Sequence, residues 1–321
     1  LATVAHLDFE RSISEVEEQI NRLQDLARER GLDVTAELRS LERKLHSLKR
    51  DVYRNLSPIE RVMVARHPNR PYTLDYLSMI FTDFIELHGD RLFRDDGAIV
   101  GGWARLEDES VMVIGHQKGR DMKQNLFRNF GMAHPEGYRK ALRLMKMAEK
   151  FGRPVVTMID TMGAYPGLGA EERGQAEAIA RNLREMASLK VPSISVVIGE
   201  GGSGGALALG VTDRVLMLEN SVYSVISPEG CAAILWKSGG EREKAAASLK
   251  LTAVDLQRLG IADEVIPEPA GGAHSDWERT AGLLRETLVR HVRELREIPA
   301  ARLVPLRAEK YLRIGELSDG N

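Results

Sequence analysis

The chain of 321 residues contains a single cysteine, Cys231. One thiol excludes an intrachain disulfide and a cysteine-based zinc site within the chain. No stretch approaches the roughly 18 consecutive apolar residues of a membrane-spanning helix. Neither charge is in excess, since 45 Lys and Arg face 47 Asp and Glu for a net charge of −2. Such balance argues against nucleic-acid binding through the chain as a whole. The phosphate-loop pattern G-x-x-x-x-G-K-[ST] is absent, as are tandem repeats and low-complexity tracts. The first residues, LATVAHLDFERSISEVEEQ, show no charged-then-apolar leader, so a cytoplasmic protein without membrane contact is the expectation. The composition, 43% hydrophobic and 29% charged, is that of an ordinary globular protein with a sizeable core.

Hydrophobic spacing divides the chain. Ile13, Val16, Ile20, Leu23 and Leu26 recur at steps of three and four, and Leu38, Leu41, Leu45, Leu48 and Val52 repeat the pattern. Gly31 suits a helix end and Thr35 the cap of the next helix, so 11–55 reads as a helical hairpin. It either packs on its own domain or docks another subunit. Ser57-Pro58 opens a further helix, and TLDYLSMIFTDFIELHG reads as one helix ending at Gly89. From about 98, strand-like runs alternate with helical ones: AIVGGWARL, SVMVIGHQ, RPVVTMID, VPSISVVI, RVLMLEN and VYSVIS against 135–151, EERGQAEAIARNLREMASL and SPEGCAAILWK. That alternation predicts an α/β architecture. A final amphipathic helix covers 276–297, and a charged, loosely held tail is expected from 299.

Residues 199–210, GEGGSGGALALG, invite three readings. Gly199, Gly201 and Gly204 spell a dinucleotide fingerprint, and Glu219 stands where the ribose acid would. Only eight residues separate Gly205 from Arg214, too few for the crossover of a ~30-residue βαβ unit. Gly201, Ser203 and Gly205 spell a hydrolase elbow, yet His274, in a flexible-looking loop, and His291, on a charged helix face, carry no marking context. The third reading uses backbone alone. A strand runs into a helix start whose bare N–H groups can hold a developing oxyanion. A second strand–glycine–helix element, DTMGAYPGLGAEERG at 160–174, would let two loops converge on one carbonyl oxygen.

The runs DTMGAYPGLGAEERGQAEAIARNLREM, GEGGSGGALALG and YSVISPEGCAAILWK, with RHPNRPYTLDY, IGHQKGR, FRNFGMAHPEGYRKALRLM and IPEPAGGAH, resemble the alpha subunits of the carboxyltransferase component of bacterial acetyl-CoA carboxylase. The resemblance covers about 7–295. It implies a crotonase-like α/β fold, a spiral of ββα units, over 98–297, with the helical hairpin in 1–57, connecting helices in 58–97 and the charged tail in 298–321. It implies transfer of a carboxyl group from carboxybiotin, carried by biotin carboxyl carrier protein, to acetyl-CoA, giving malonyl-CoA for fatty-acid synthesis. The partner would be a beta subunit in an α2β2 assembly, carrying the zinc and most acetyl-CoA contacts. ATP would be used by the biotin carboxylase component. No covalently bound cofactor and no metal are expected on this chain. The donors expected at the biotin oxygen are the N–H groups of Gly204, Gly205 or Ala206 with Gly163 or Ala164. Tyr165, Gly201, Gly202, Ser227, Pro228, Glu229 and Gly230 would border the biotin side. A decarboxylase subunit of a biotin-dependent sodium pump shares the fold; a non-catalytic scaffold acting through 11–55 is the alternative of another class.

One residue departs from the family pattern: Met162 stands where Asp-Thr-Pro-Gly is common, which returns an N–H that proline lacks. Lys118, Arg120, Lys123 and Arg128 form either a phosphate contact or a solvated or subunit-contacting basic loop. Asp95 and Asp96 read as a turn rather than a cation site, and Glu171 and Glu172 as acids favouring a helix start.

Overall fold

The structure, a computed structural model, describes residues 7–315. Helices Arg11–Arg30 and Thr35–Arg54 form the expected hairpin, the first closed by Gly31 at φ 62°. Thr35 is not the cap; the Asp33 carboxylate accepts from its N–H at 3.0 Å and its hydroxyl at 2.6 Å. The hairpin's near end packs on its own body through Ile13, Tyr53 and Leu56, while Leu26 and Leu32 near the bend are exposed.

Among the described residues, eight strands make one sheet: β1 Thr82–Glu86, β2 Ile99–Leu106, β3 Glu109–His116, β4 Val155–Thr161, β5 Ser193–Gly202, β6 Arg214–Leu218, β7 Val222–Ser224 and β8 Glu264–Ile266. The order is β1-β2-β3-β4-β5-β6-β8, with β7 paired to the end of β5. The first three strands are antiparallel and the rest parallel. Helices cover both faces, so β4 is buried along its whole length and reads as an apolar run. Its side chains still alternate. Val155 and Ile159 join the core under Pro135–Lys150, and Val156 and Met158 join the core under Trp277–Glu297.

Three further expectations are corrected. The helix read through to Gly89 stops at Ile80, and TDFIE becomes β1, so the stretch 58–97 contributes a strand. Phe81 is extended, and β1 gains ladder bonds along β2 that no local pattern announces. The long helix after the first glycine loop breaks at Gly174, φ 81°, into Leu168–Glu172 and Gln175–Ala187. The tail is not loose over its described part. Ala300–Leu312 is a helix that buries Leu303 and Arg307. The Arg307 guanidinium holds Asp213 at 2.8 Å and donates to the carbonyls of Met186 and Leu189 at 2.6 and 2.9 Å.

Candidate active site

Parallel strands leave their C-terminal ends free for loops, and ligands of open α/β sheets gather there. β4 ends at Thr161 and β5 at Gly202. The two glycine loops leave from these ends and touch. A Cβ on Gly202 would run into the Met162 carbonyl. One on Gly205 would lie 2.6 Å from both the Ala164 nitrogen and the Gly163 carbonyl carbon. Only hydrogen in place of a side chain permits this approach. Ser203, first residue of the short helix Ser203–Leu207, has φ 54°, an uncommon conformation for a residue with a Cβ.

The candidate donors separate. The Gly163 N–H is already spent on the Thr161 hydroxyl oxygen at 3.1 Å, and that hydroxyl donates to the Gly163 carbonyl at 2.7 Å. Ala164 is therefore the donor of this loop that remains in question. In the other loop, Gly204 and Gly205 precede any intrahelical acceptor, while Ala206 is the first residue placed to bond back to Gly202. Behind Gly205 stands a neutral wall. The Tyr138 hydroxyl lies 2.8 Å from where a Gly205 Cβ would sit. Burial pushes that phenol up and the His116 imidazole down to about 3; the Lys118 charge adds to the latter, and backbone at Met158 and Gly205 opposes it.

In front of the loops lies a cleft of about 750 Å³ lined by Arg66, Lys118, Met162, Glu200, Ser203 and Glu229, among others. Lys118 is not part of a solvated basic loop. Its ammonium meets Asp160 at 2.7 Å and Glu200 at 3.6 Å. Burial disfavours that charge, but Asp160 and Glu200 outweigh it and raise the lysine's pKa. Arg66 extends the series, binding Glu200 at 2.7 Å and Glu229 at 2.8 Å. Arg120 stacks 3.8 Å over Tyr72 and 4.9 Å from Trp277 while pairing with Asp75, and Arg128 donates to the Gly97 carbonyl at 2.8 Å. Lys118, Arg120 and Arg128 thus each have a partner within the chain, and Lys118 and Arg120 both line the cleft.

Of the residues read as bordering biotin, Ser227 and Glu229 line this cleft. Ser227 also caps the helix Pro228–Trp236 by accepting from the Gly230 N–H at 3.1 Å. Gly201 lies under the Tyr223 ring. Tyr165 stacks on His134 with centroids 4.1 Å apart. Asp95 and Asp96 are structural. Asp95 pairs with the buried Lys140 at 2.6 Å, and Asp96 accepts the Ala98 and His134 N–H groups at 2.9 and 2.7 Å. Two histidines differ from expectation. His291 is buried and meets Glu264 at 2.9 Å, and His274 stacks on His67 with centroids 3.8 Å apart. Sequence reading passes over Asp160, Glu200 and Arg66; an aspartate ending the apolar run VVTMI, directly before a glycine loop, is the available signal.

The family model described as acetyl co-enzyme A carboxylase carboxyltransferase-like matches residues 6–315. The acetyl-coenzyme A carboxylase carboxyl transferase subunit alpha of Gemmatimonas aurantiaca is 63% identical over 322 residues, covering 99% of this chain and 100% of the relative. The protein of that name from Geobacter metallireducens is 57% identical over 319 residues, covering 99% of this chain and 100% of the relative. Among solved structures, transcarboxylase 12S with methylmalonyl-coenzyme A superposes with TM-score 0.54 at 21% identity, over 68% of this chain and 42% of that one. The beta subunit of geranyl-CoA carboxylase from P. aeruginosa gives TM-score 0.55 at 19% identity, over 77% and 46%. At these identities the structures show a shared fold, and that fold is the crotonase-like one.

Proposed function

The chain belongs to the acetyl co-enzyme A carboxylase carboxyltransferase-like family, and we infer that it acts as the alpha-type subunit of the biotin-dependent carboxyltransferase, moving a carboxyl group from carboxybiotin to acetyl-CoA. The observation that carries the site is the contact between the glycine loops, Gly205 against Gly163 and Ala164. As the carboxyl group leaves biotin, negative charge grows on the ureido oxygen. The N–H groups of Gly204 and Gly205, with Ala164 opposite, are its proposed partners. Each fixed donor is worth about 3 kcal/mol in a transition state. Biotin then takes a proton from the acetyl methyl group, and the resulting thioester enolate attacks the released carbon dioxide to give malonyl-CoA. Positioning and fixed dipoles do the work, and the chain needs no side-chain nucleophile of its own.

The reading assigns the enolate's donors, the zinc and most acetyl-CoA contacts to a beta subunit, in an α2β2 assembly. Carboxybiotin arrives on its carrier protein, charged with ATP by a biotin carboxylase, in the cytoplasm. No helix of the described residues is long and apolar enough to cross a membrane. The test is carboxyl transfer in reverse, from malonyl-CoA to a soluble biotin derivative. It is run with this chain alone, its beta partner alone and both. Biotin-dependent loss of malonyl-CoA only in the mixture is expected. An assembled but inactive mixture contradicts the reading.

A further inference from the structure

The sheet is irregular at the root of the glycine loops. Along β4 and β5 the ladder pairs Ile159 with Val197 and resumes at Thr161 with Gly201. One residue of β4, Asp160, therefore faces three of β5, Ile198 to Glu200. Such a bulge removes backbone groups from the ladder, and buried ones need other partners. Both are supplied by charged side chains. The Ile198 carbonyl accepts from the Arg70 guanidinium at 3.0 and 3.3 Å. The Glu200 N–H donates to the Asp160 carboxylate at 3.0 Å. The same carboxylate oxygen takes the Lys118 ammonium at 2.7 Å. Gly199 makes room, since a Cβ there would lie 2.5 Å from that oxygen.

Asp160 thus ties the roots of both loops at one buried point. Thr161, its neighbour, pins Gly163 through two hydrogen bonds. Two residues after Glu200 the chain enters the Ser203 turn and the start of the short helix. A bulge of this kind can re-aim the backbone beyond it. A reacting geometry about 1 Å out of place costs on the order of 100-fold in rate.

Resting on the functional reading above, we propose that Asp160, held by Lys118, is the positioning residue that sets the spacing between the Ala164 and Gly204–Gly205 donors. Neither side chain touches the reacting atoms in this scheme. Lys118 lines the cleft, and Asp160 acts from behind it through the Glu200 peptide. Asparagine at 160 keeps shape and an acceptor but loses the charge that anchors Lys118.

The experiment compares wild type, Asp160→Asn, Lys118→Met and the double variant, each assembled with the beta partner and normalised to assembled complex. For Asp160→Asn, reverse-transfer kcat falls about 100-fold while KM for malonyl-CoA stays within twofold. The double variant, with no unpaired buried charge, regains the wild-type melting temperature but not kcat. Recovery of kcat together with melting temperature would mean a structural role only and overturns the proposal, as does an assembled Asp160→Asn with kcat within threefold of wild type. Amide hydrogen exchange on the same samples reads the loops without turnover. Peptides covering 161–167 and 199–207 exchange faster in Asp160→Asn and in the double variant, while β2 and β3 stay unchanged; unaltered loop exchange overturns the proposal. If wild type shows this exchange contrast against the variants but no biotin-dependent turnover, the functional reading fails and the positioning of the loops stands.

Discussion

Gly205 and Ala164 meet so closely that a methyl group on the first would sit 2.6 Å from the nitrogen of the second. Gly204, one residue earlier, has room: its nearest neighbours are Ile179 side-chain carbons at 3.6 and 3.7 Å. The pair makes a controlled experiment. Gly205→Ala must push the loops apart, and turnover is expected to fall by two or more orders of magnitude. Gly204→Ala folds and assembles with an unchanged melting temperature. Steady-state kinetics of both variants, with assembly checked by light scattering, decide this. A Gly205→Ala enzyme of near-normal turnover would remove the loop contact from the mechanism.

Met162 presents an exposed side chain to the cleft and its carbonyl to Gly202. Met162→Pro fixes φ near −65° and deletes one N–H. An altered KM for the biotin derivative, with KM for malonyl-CoA unchanged, is expected. Identical constants for both substrates would show that the position does not reach the biotin side.

Arg70 and Glu268 form a forked pair, at 2.7 and 3.0 Å, between side chains with almost no exposed surface. Burial alone would push the carboxyl up; Arg70, with Asn220, instead holds it down at about 2, from an ordinary 4.5. A depressed acid stabilises the fold fully above its unfolded pKa and less as pH falls toward the folded one. Ionisation of Glu268 therefore contributes on the order of 3 kcal/mol at neutral pH, lost as pH falls from about 4.5 toward 2. Urea titrations across that window should show this slope in wild type and a flatter one in Glu268→Gln. At pH 7 the variant is less stable by about 3–5 kcal/mol, because Arg70 is left buried without its counter-charge.

Arg307 ties the helix Ala300–Leu312 to Asp213 and to the C-terminal end of the Gln175–Ala187 helix. Arg307→Met strands a buried carboxylate and several carbonyls, at a cost of about 3–5 kcal/mol. Denaturant midpoints measure it. Arg313→Met, at the last turn, should change stability by less than about 0.5 kcal/mol.

Much of the fold is legible in local sequence. The hairpin, the Ser57 and Ser227 caps, the buried parallel strands and the two glycine loops rest on periodicity, capping chemistry and backbone freedom, all of which act over a few residues. The segment 82–86 reads as helix in the sequence because its pairing to β2 is non-local. His291 reads as one more residue of a charged helix face because its nearer acid, Glu264, lies 27 residues away on another element. Lys118 reads as part of a basic loop because its partners come from the ends of two other strands.

The division comes down to range. By itself the sequence determined where strands turn into helices, where the backbone lacks side chains and which family the chain resembles. Only the tertiary structure decided that Gly163's N–H is spent, that Gly205 lies against Ala164, and that Asp160 fills a gap between β4 and β5. Those facts depend on register and on two or three ångströms between residues some forty positions apart, distances that packing sets and local spacing does not contain.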